Sequence, residues 1–501
     1  MCNDRGVGTA QLPVDDGVIL AIDQGSSSTR CIAFDTALHP LATAASPVAT
    51  QRPAAGMVEH DPIQLLAGVR SAIDSVRSAI AERPVAAVGI ANQTETFVLW
   101  ESETGRAVTP AVSWQDQRAA ELCQALAQLP GTAPAAARTG LALDATFSAL
   151  KLAWLFERDP DLHRRAHRGE LLFGDVACWL AWQLSDGAGH VTEPSNACRS
   201  LLVDLDRLAW DDELCRLFGV PLAMLPEIRP SDRSRLRTSA EVTGFEAPVA
   251  AMLGDQPAAL FGQGCTRPRM AALTLGTGAF LWLNVGAARP EPPPGVLATA
   301  AWELAASGRT YALEAFGANA GNALAVLREL GLLPPHPLAE APDWSRPHPI
   351  VVAAPAGLGT PRWHSADRIT MLGASSATTP ADLAGAALAG IAHQIADALD
   401  AQDARRTMDT VRVGGGLAAD AALLQAVADL SGLELEVSTE REATARGIAA
   451  LAAGAIGAAT AQAEPKIAAR VTPALDAGSR AIERARWRHA VDVHVSEESG
   501  S

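Results

Sequence analysis

Val18-Ile19-Leu20-Ala21-Ile22-Asp23 runs into Gln24-Gly25-Ser26-Ser27-Ser28, after which the chain is apolar again over Cys31-Ile32-Ala33-Phe34. An aliphatic, β-branched run followed by Gly and Ser predicts a buried strand, a tight polar turn and a second strand. Far along the chain the same logic recurs: Ala271 to Leu275 (AALTL), the turn Gly276-Thr277-Gly278, and Ala279 to Val285 (AFLWLNV). The repeat predicts two related lobes, each opening with a hairpin. Small residues let a ligand approach the successive backbone N–H groups of such a turn, so two facing hairpins would grip a polyphosphate. Asp23, ending the first strand beside its turn, is placed to hold Mg2+ through waters.

Val411-Arg412-Val413, Gly414-Gly415-Gly416 and the helix-like Leu417 to Leu430 form a third candidate, since backbone meets a nucleotide closely where glycines lead into a helix. Neither a P-loop nor a Rossmann glycine fingerprint occurs in the required strand-to-helix context. Two carboxylates stand at strand breaks. Val88 to Ala91 ends in Asn92-Gln93-Thr94-Glu95-Thr96, where Glu95 is either a solvated turn residue or an acceptor for two adjacent hydroxyls of a polyol. Ala251 to Leu253 ends in Gly254-Asp255-Gln256-Pro257, where Asp255 is either a helix N-cap or a general base. Trp114, in SWQDQR with Asp116 and Arg118, is either core or a stacking surface.

The 501 residues are 48% hydrophobic and 19% charged, enough for two or three packed domains, and the net charge of −16 argues against a nucleic-acid surface. Seven scattered cysteines (Cys2, Cys31, Cys123, Cys178, Cys198, Cys215, Cys265), never spaced C-x-x-C, fit neither a disulfide framework nor a zinc site, so a reducing cytoplasm is expected. The polar stretch before Gly17, with Asp15 and Asp16, is expected to be neither signal nor anchor. The Ala/Gly run Gly447 to Ala461 is too short and weakly apolar for a span and predicts a close-packed buried helix. No membrane partner is expected.

Taken together, AIDQGSSSTR (Ala21 to Arg30), GMVEHDP (Gly56 to Pro62), ETGRAVTPAVSWQD (Glu103 to Asp116), RGELLFGDVACWLAW (Arg168 to Trp182), HVTEPSNACRS (His190 to Ser200), GDQPAALFGQ (Gly254 to Gln263), TLGTGAF (Thr274 to Phe280) and GLGTPRW (Gly357 to Trp363) resemble the FGGY carbohydrate kinases, glycerol kinases most of all. The resemblance runs from Val18 to about His489. It implies an α/β fold of two actin-like, ribonuclease-H-like lobes closing on ATP, with a polyol or sugar in the cleft. The expected division is a disordered tail over 1–16, lobes over 17–262 and 263–490, and a disordered tail over 491–501.

By the same resemblance Asp255 is the general base and, with Asp23, organises Mg2+. Gln93, Thr94, Glu95, Trp114, Thr146, Gln256 and Phe280 line the acceptor site. Ser26, Ser27, Ser28 and Arg30 meet phosphate from the first hairpin and Thr277 from the second, while Gly321, Ala325, Gly415, Gly416 and Asp420 lie along the nucleotide. A homo-oligomer, dimer or tetramer, is expected.

Several positions depart from the glycerol kinase pattern. N-Q-R-E-T reads Asn92-Gln93-Thr94-Glu95-Thr96, and D-P-Y-F-S reads Asp144-Ala145-Thr146-Phe147-Ser148, so an Arg and a Tyr that bind substrate become Thr94 and Thr146. Losing a charged donor costs roughly 1.5–3 kcal/mol, about ten- to a hundredfold in affinity. An enlarged pocket preferring a C4–C5 polyol or ketose is therefore expected, with glycerol as the alternative acceptor. The family's adenine-side Gln and Asn become Ala325 and Asp420. Glu241 to Pro248 lacks the Gly-rich loop through which bacterial glycerol kinases take up a sugar-bisphosphate inhibitor. W-x-D-x-R at Trp114 to Arg118 also resembles pentulose kinases. The competing class is an actin- or chaperone-like ATPase without a small-molecule acceptor, against which Glu95, Asp255 and Trp114 stand.

Overall fold

The computed structural model describes residues 17–496 except 82, 129–131, 334–342, 345, 347, 365–367 and 459–463. The tail expected over 1–16 lies outside them. Both hairpins form. Val18–Gln24, its Val, Ile and Leu side chains wholly buried, pairs antiparallel with Ser28–Phe34, and Met270–Leu275 pairs antiparallel with Ala279–Gly286.

Each hairpin nucleates a sheet of the same plan. In the first, Pro40–Pro47 extends the hairpin on one side, while Val85–Asn92 and Pro248–Gly254 follow Val18–Gln24 in parallel on the other. In the second, Gly308–Gly317 and Leu297–Leu304 extend the hairpin, and Thr410–Gly414 and Leu435–Ser438 run parallel to Met270–Leu275. Three antiparallel strands in the first sheet and four in the second, each set followed by two parallel ones, make the two lobes of an actin-like fold.

The Ala/Gly run forms the helix Ala443–Ala455, and its burial is explained by where it lies. It belongs to the second lobe by sequence yet packs on the first lobe's sheet, with Ile448 against Gly89, and crosses the helix Asp255–Gly262 at two glycines. A Cβ on Gly447 would sit 1.8 Å from the Ala258 carbonyl oxygen, and one on Gly262 1.9 Å from that of Ala443. Only backbone against backbone fits this crossing.

The C-terminal boundary differs from expectation. The helix Ala477–Ser496 continues past residue 490 because Trp487, Ala490, Val491 and His494 bury one face, so residues 491–496 are a packed helix end. Residues 497–501 lie outside the described ones. Likewise the helix after Gly414-Gly415-Gly416 starts only at Ala421, since a 3-10 turn over Gly416–Ala419 intervenes. Among the described residues no helix is long and apolar enough to cross a membrane, and the six cysteines, Cys31 to Cys265, are free.

Candidate active site

Three parallel neighbours of the first sheet end together. Asp23, Ala91 and Leu253 are at one level and Gln24, Asn92 and Gly254 at the next, so the chain leaves these strands as Asp23 before its turn, as Gln93 to Thr96, and as Asp255. The carboxyl ends of parallel strands are where such sheets bind ligands, because the loops diverge there and leave a crevice.

Asp255 is not a helix N-cap. Gly254 occupies that position, and Asp255 opens the helix with Oδ1 accepting from the N–H of Gln256 at 2.8 Å. Burial pushes its carboxyl up to about 8, with the charges of Asp23, Glu95 and Glu314 adding to the effect. Burial likewise raises Asp23 to about 6, opposed by Arg30 and assisted by Glu442. A carboxyl poised this high among like charges is a candidate general base.

Glu95 is no solvated turn residue either: it is 6% exposed and holds a left-handed φ of 61°, which costs a non-glycine residue energy. Its carbonyl accepts from Ser148 Oγ at 3.0 Å and its Oε1 from Arg199 Nε at 2.5 Å. The turn is tied to the first hairpin by Gln93, whose N–H donates to the Gln24 carbonyl and whose Nε2 donates to that of Gly25. Thr94 lies against the backbone of Gly254, where a Cβ would meet its γ-methyl at 2.4 Å. Thr146 is half-buried. Its carbonyl and that of Ser113 accept from Lys151 Nζ at 2.6 and 2.9 Å, which binds the Trp114 loop to the Thr146 loop. Asp116 and Arg118 pair with each other and, through Arg118, with Glu59, so they brace the Trp114 loop. Trp114 meets Phe280 of the second lobe edge-on at 6.5 Å, and Phe280 packs on Phe316 at 4.9 Å.

On the phosphate side, Ser26 and Ser27 form the first turn, closed by the Gly25 N–H donating to the Ser28 carbonyl at 3.0 Å, with Ser27 exposed. Arg30 pairs at 2.6 Å with Glu442, the N-cap of the helix Ala443–Ala455 that packs on the same lobe. In the second lobe, the Thr277 carbonyl accepts from the N–H groups of Ala320 and Asn322, and the N–H of Gly321 donates to the Gly276 carbonyl, so Thr277 and Gly321 share one corner. Gly415 joins it with φ 92° and its Cα against the Leu275 carbonyl, where a Cβ would come within 2.4 Å. Gly416 beside it is exposed. Ala325 is exposed on the helix Gly321–Glu329, and Asp420 uses its Oδ1 to cap Ala421–Ser431 by accepting from the Leu423 N–H.

Arg199 and Glu314 are site residues that sequence reasoning missed. The signal for Glu314 was a carboxylate inside the apolar strand Gly308–Gly317, since Glu is almost never buried without a partner. Nothing in Asn196-Ala197-Cys198-Arg199-Ser200 marks Arg199.

Residues 18–262 match the N-terminal domain, and 271–456 the C-terminal domain, described for the FGGY family of carbohydrate kinases. The glycerol kinase of Citrifermentans bemidjiense is 41% identical over 488 residues, covering 95% of this chain and 98% of its own. The crystal structure of Plasmodium falciparum glycerol kinase with ADP superposes with a TM-score of 0.87 at 26% identity, covering 96% of this chain and 98% of its own. A xylulose kinase from Brucella ovis superposes with a TM-score of 0.83 at 22% identity over 97% of this chain and all of its own, a likeness of fold alone.

Proposed function

The chain belongs to the FGGY family of carbohydrate kinases and is an ATP-dependent kinase acting on an alcohol group, and on that premise we propose that it phosphorylates a short polyol, glycerol before longer ones, with Asp255 as general base. The observation that carries the reading is the Asp255 carboxyl, pushed up to about 8 where three strand ends bring Asp23 and Glu95 beside it. Asp255 takes the proton of the attacking hydroxyl as that oxygen bonds to the γ-phosphorus and the bond to ADP breaks, giving the phosphate ester and ADP. Glu95 accepts from acceptor hydroxyls, while Trp114 and Phe280 cover the carbon chain and exclude water. The Ser26-Ser27-Ser28 turn with Arg30 faces the phosphates from one lobe, and Thr277 faces them from the other. Gly321, Ala325, Gly415, Gly416 and Asp420 flank the nucleoside.

Asp23 and Asp255 fit Mg2+, since both carboxyls are raised by desolvation and the charge of Asp23 adds to the rise at Asp255, which a cation would relieve. Among the described residues no three His, Cys, Asp or Glu side chains converge as a metal cage. Mg2+ rarely uses one, keeping waters and substrate phosphates instead. Bound there with ATP, it would neutralise charge on the transferring phosphoryl group.

Glycerol is supported as acceptor by relatives near 40% identity that bear the name glycerol kinase, and by Arg199, which keeps a guanidinium at Glu95 although position 94 is Thr. A C4–C5 polyol or ketose is the second reading, favoured by the short Thr94 and Thr146. A coupled ADP-release assay over C3 to C6 polyols and ketoses tests both. Glycerol with the highest kcat/KM supports the first, a longer acceptor ahead by about tenfold supports the second, and ADP release indifferent to every acceptor would sink the kinase reading of this site.

A further inference from the structure

Arg199 lies on the one-turn segment Cys198–Ser200, part of the first lobe by sequence but with Ala197 and Cys198 packed in the second lobe's core, and is 5% exposed between two carboxylates. Its Nε is 2.5 Å from Glu95 Oε1, on the same lobe, and its Nη1 is 2.6 Å from Glu314 Oε2, on a strand of the second lobe. Phe147 and Trp282 lie over the guanidinium at 5.3 and 5.8 Å, one from each lobe. Among the described residues neither Nη1 nor Glu314 Oε2 has a partner in hydrogen-bond geometry, so the two are held together as a buried ion pair.

Apolar side chains of the same volume would be at least as stable in such a place, because a buried ion triad is expensively desolvated. Stability alone therefore does not explain it, whereas its contact with Glu95 does. Arg199 takes Oε1 and so fixes the plane of the Glu95 carboxylate, leaving Oε2 for a ligand. Its other partner arrives from the opposite lobe.

We infer that Arg199 is a positioning residue that links the acceptor site to lobe apposition: anchored by Glu314 across the cleft, it aims Glu95 at an acceptor hydroxyl only while the two lobes are together. The inference rests on Glu95 holding the acceptor, as proposed above. It makes Glu314, which sits in the other lobe and is not itself assigned to the acceptor, a determinant of acceptor affinity.

Steady-state kinetics on Glu95→Gln, Arg199→Lys, Arg199→Met, Glu314→Gln and the double variant Glu95→Gln with Glu314→Gln test it, using the acceptor that the wild type turns over best among C3–C5 polyols and ketoses. Glu314→Gln is expected to raise acceptor KM at least about tenfold with KM for ATP within twofold. Arg199→Lys should fall between wild type and Arg199→Met, and Glu314→Gln should add little in the Glu95→Gln background, because the two act through one carboxylate. A merely structural role would instead add to Glu95→Gln and shift both KM values. A folded Glu314→Gln with acceptor KM within twofold of wild type, while Glu95→Gln raises it, would overturn the inference and leave the acceptor reading standing. Should Glu95→Gln itself leave acceptor KM unchanged, or no acceptor be turned over, both fall together. Glu314→Gln keeps the test open even where an Arg199 variant fails to fold, since it leaves Arg199 paired with Glu95.

Discussion

Asp255, proposed above as the general base, carries a carboxylate destabilised by its surroundings. Its carboxyl is raised to about 8 and that of Asp23 to about 6, against an ordinary value near 4, so between those limits the folded protein holds protons that the unfolded chain has released. Stability from this source is whole below about pH 4 and is lost as pH rises through about 8. In metal-free, nucleotide-free protein, Asp255→Asn should therefore melt higher than wild type by a margin that grows from pH 5 to pH 8.5, and parallel melting curves would contradict the assignment of cause. The same variant should bind ATP but turn over at least about a hundredfold more slowly, the usual scale for losing a general base; more than a tenth of wild-type kcat would remove Asp255 from the role. At the acceptor, Thr94→Arg with Thr146→Tyr should raise the kcat/KM ratio of glycerol over a pentitol by about tenfold, non-additively, because the two side chains would share one ligand. An unchanged ratio would mean that these positions do not read acceptor length.

Among the elements, the crossing of Asp255–Gly262 with Ala443–Ala455 matters most, because the first of these helices begins with Asp255 itself. Gly262 and Gly447 let the backbones touch along the second half of the helix that Asp255 opens, which ties that helix to one of the other lobe's sequence. Adding bulk there cannot be absorbed by a rotamer change, since the atoms met are carbonyl oxygens. Gly447→Val should cost at least about 1–3 kcal/mol, the range for overpacking a close contact, seen as a lower urea midpoint, together with reduced kcat. A variant as stable as wild type would mean the helices separate freely. By contrast, the Ser26-Ser27-Ser28 turn closes through few hydrogen bonds and shows Ser27 to solvent, as a loop that receives a ligand does.

For the whole molecule, Glu95, Trp114 and Asp255, proposed for the acceptor, stand on one lobe and Phe280, Thr277 and Gly321 on the other, with Trp114–Phe280 and Arg199–Glu314 spanning the cleft. Those spanning pairs form only when the lobes are apposed, and apposition is also what excludes water from the transferring group. The radius of gyration by X-ray scattering should accordingly fall when an ATP analogue and acceptor are both bound. Identical scattering with both ligands demonstrably bound would count against closure.

The amino-acid sequence by itself determined the two hairpins and the duplicated lobe plan, because these depend on local signals, aliphatic runs and Gly/Ser turns, while the meeting of Asp23, Glu95 and Asp255 was implied only by the resemblance to the FGGY kinases. It also implied a short Thr94 and Thr146 where longer donors stand in similar kinases. What it left undecided were choices between two local readings of one residue. Glu95 as turn or ligand, and Asp255 as cap or base, differ only in burial and in which charges lie near, and both are set by strands far apart in the chain. The packed end of Ala477–Ser496 was illegible for the same reason, its buried face being defined by the elements it meets. Arg199 is the clearest case: its significance lies in standing between Glu95 and Glu314, residues 104 positions before it and on another lobe, and only the tertiary structure decides that a guanidinium and two carboxylates share one buried site.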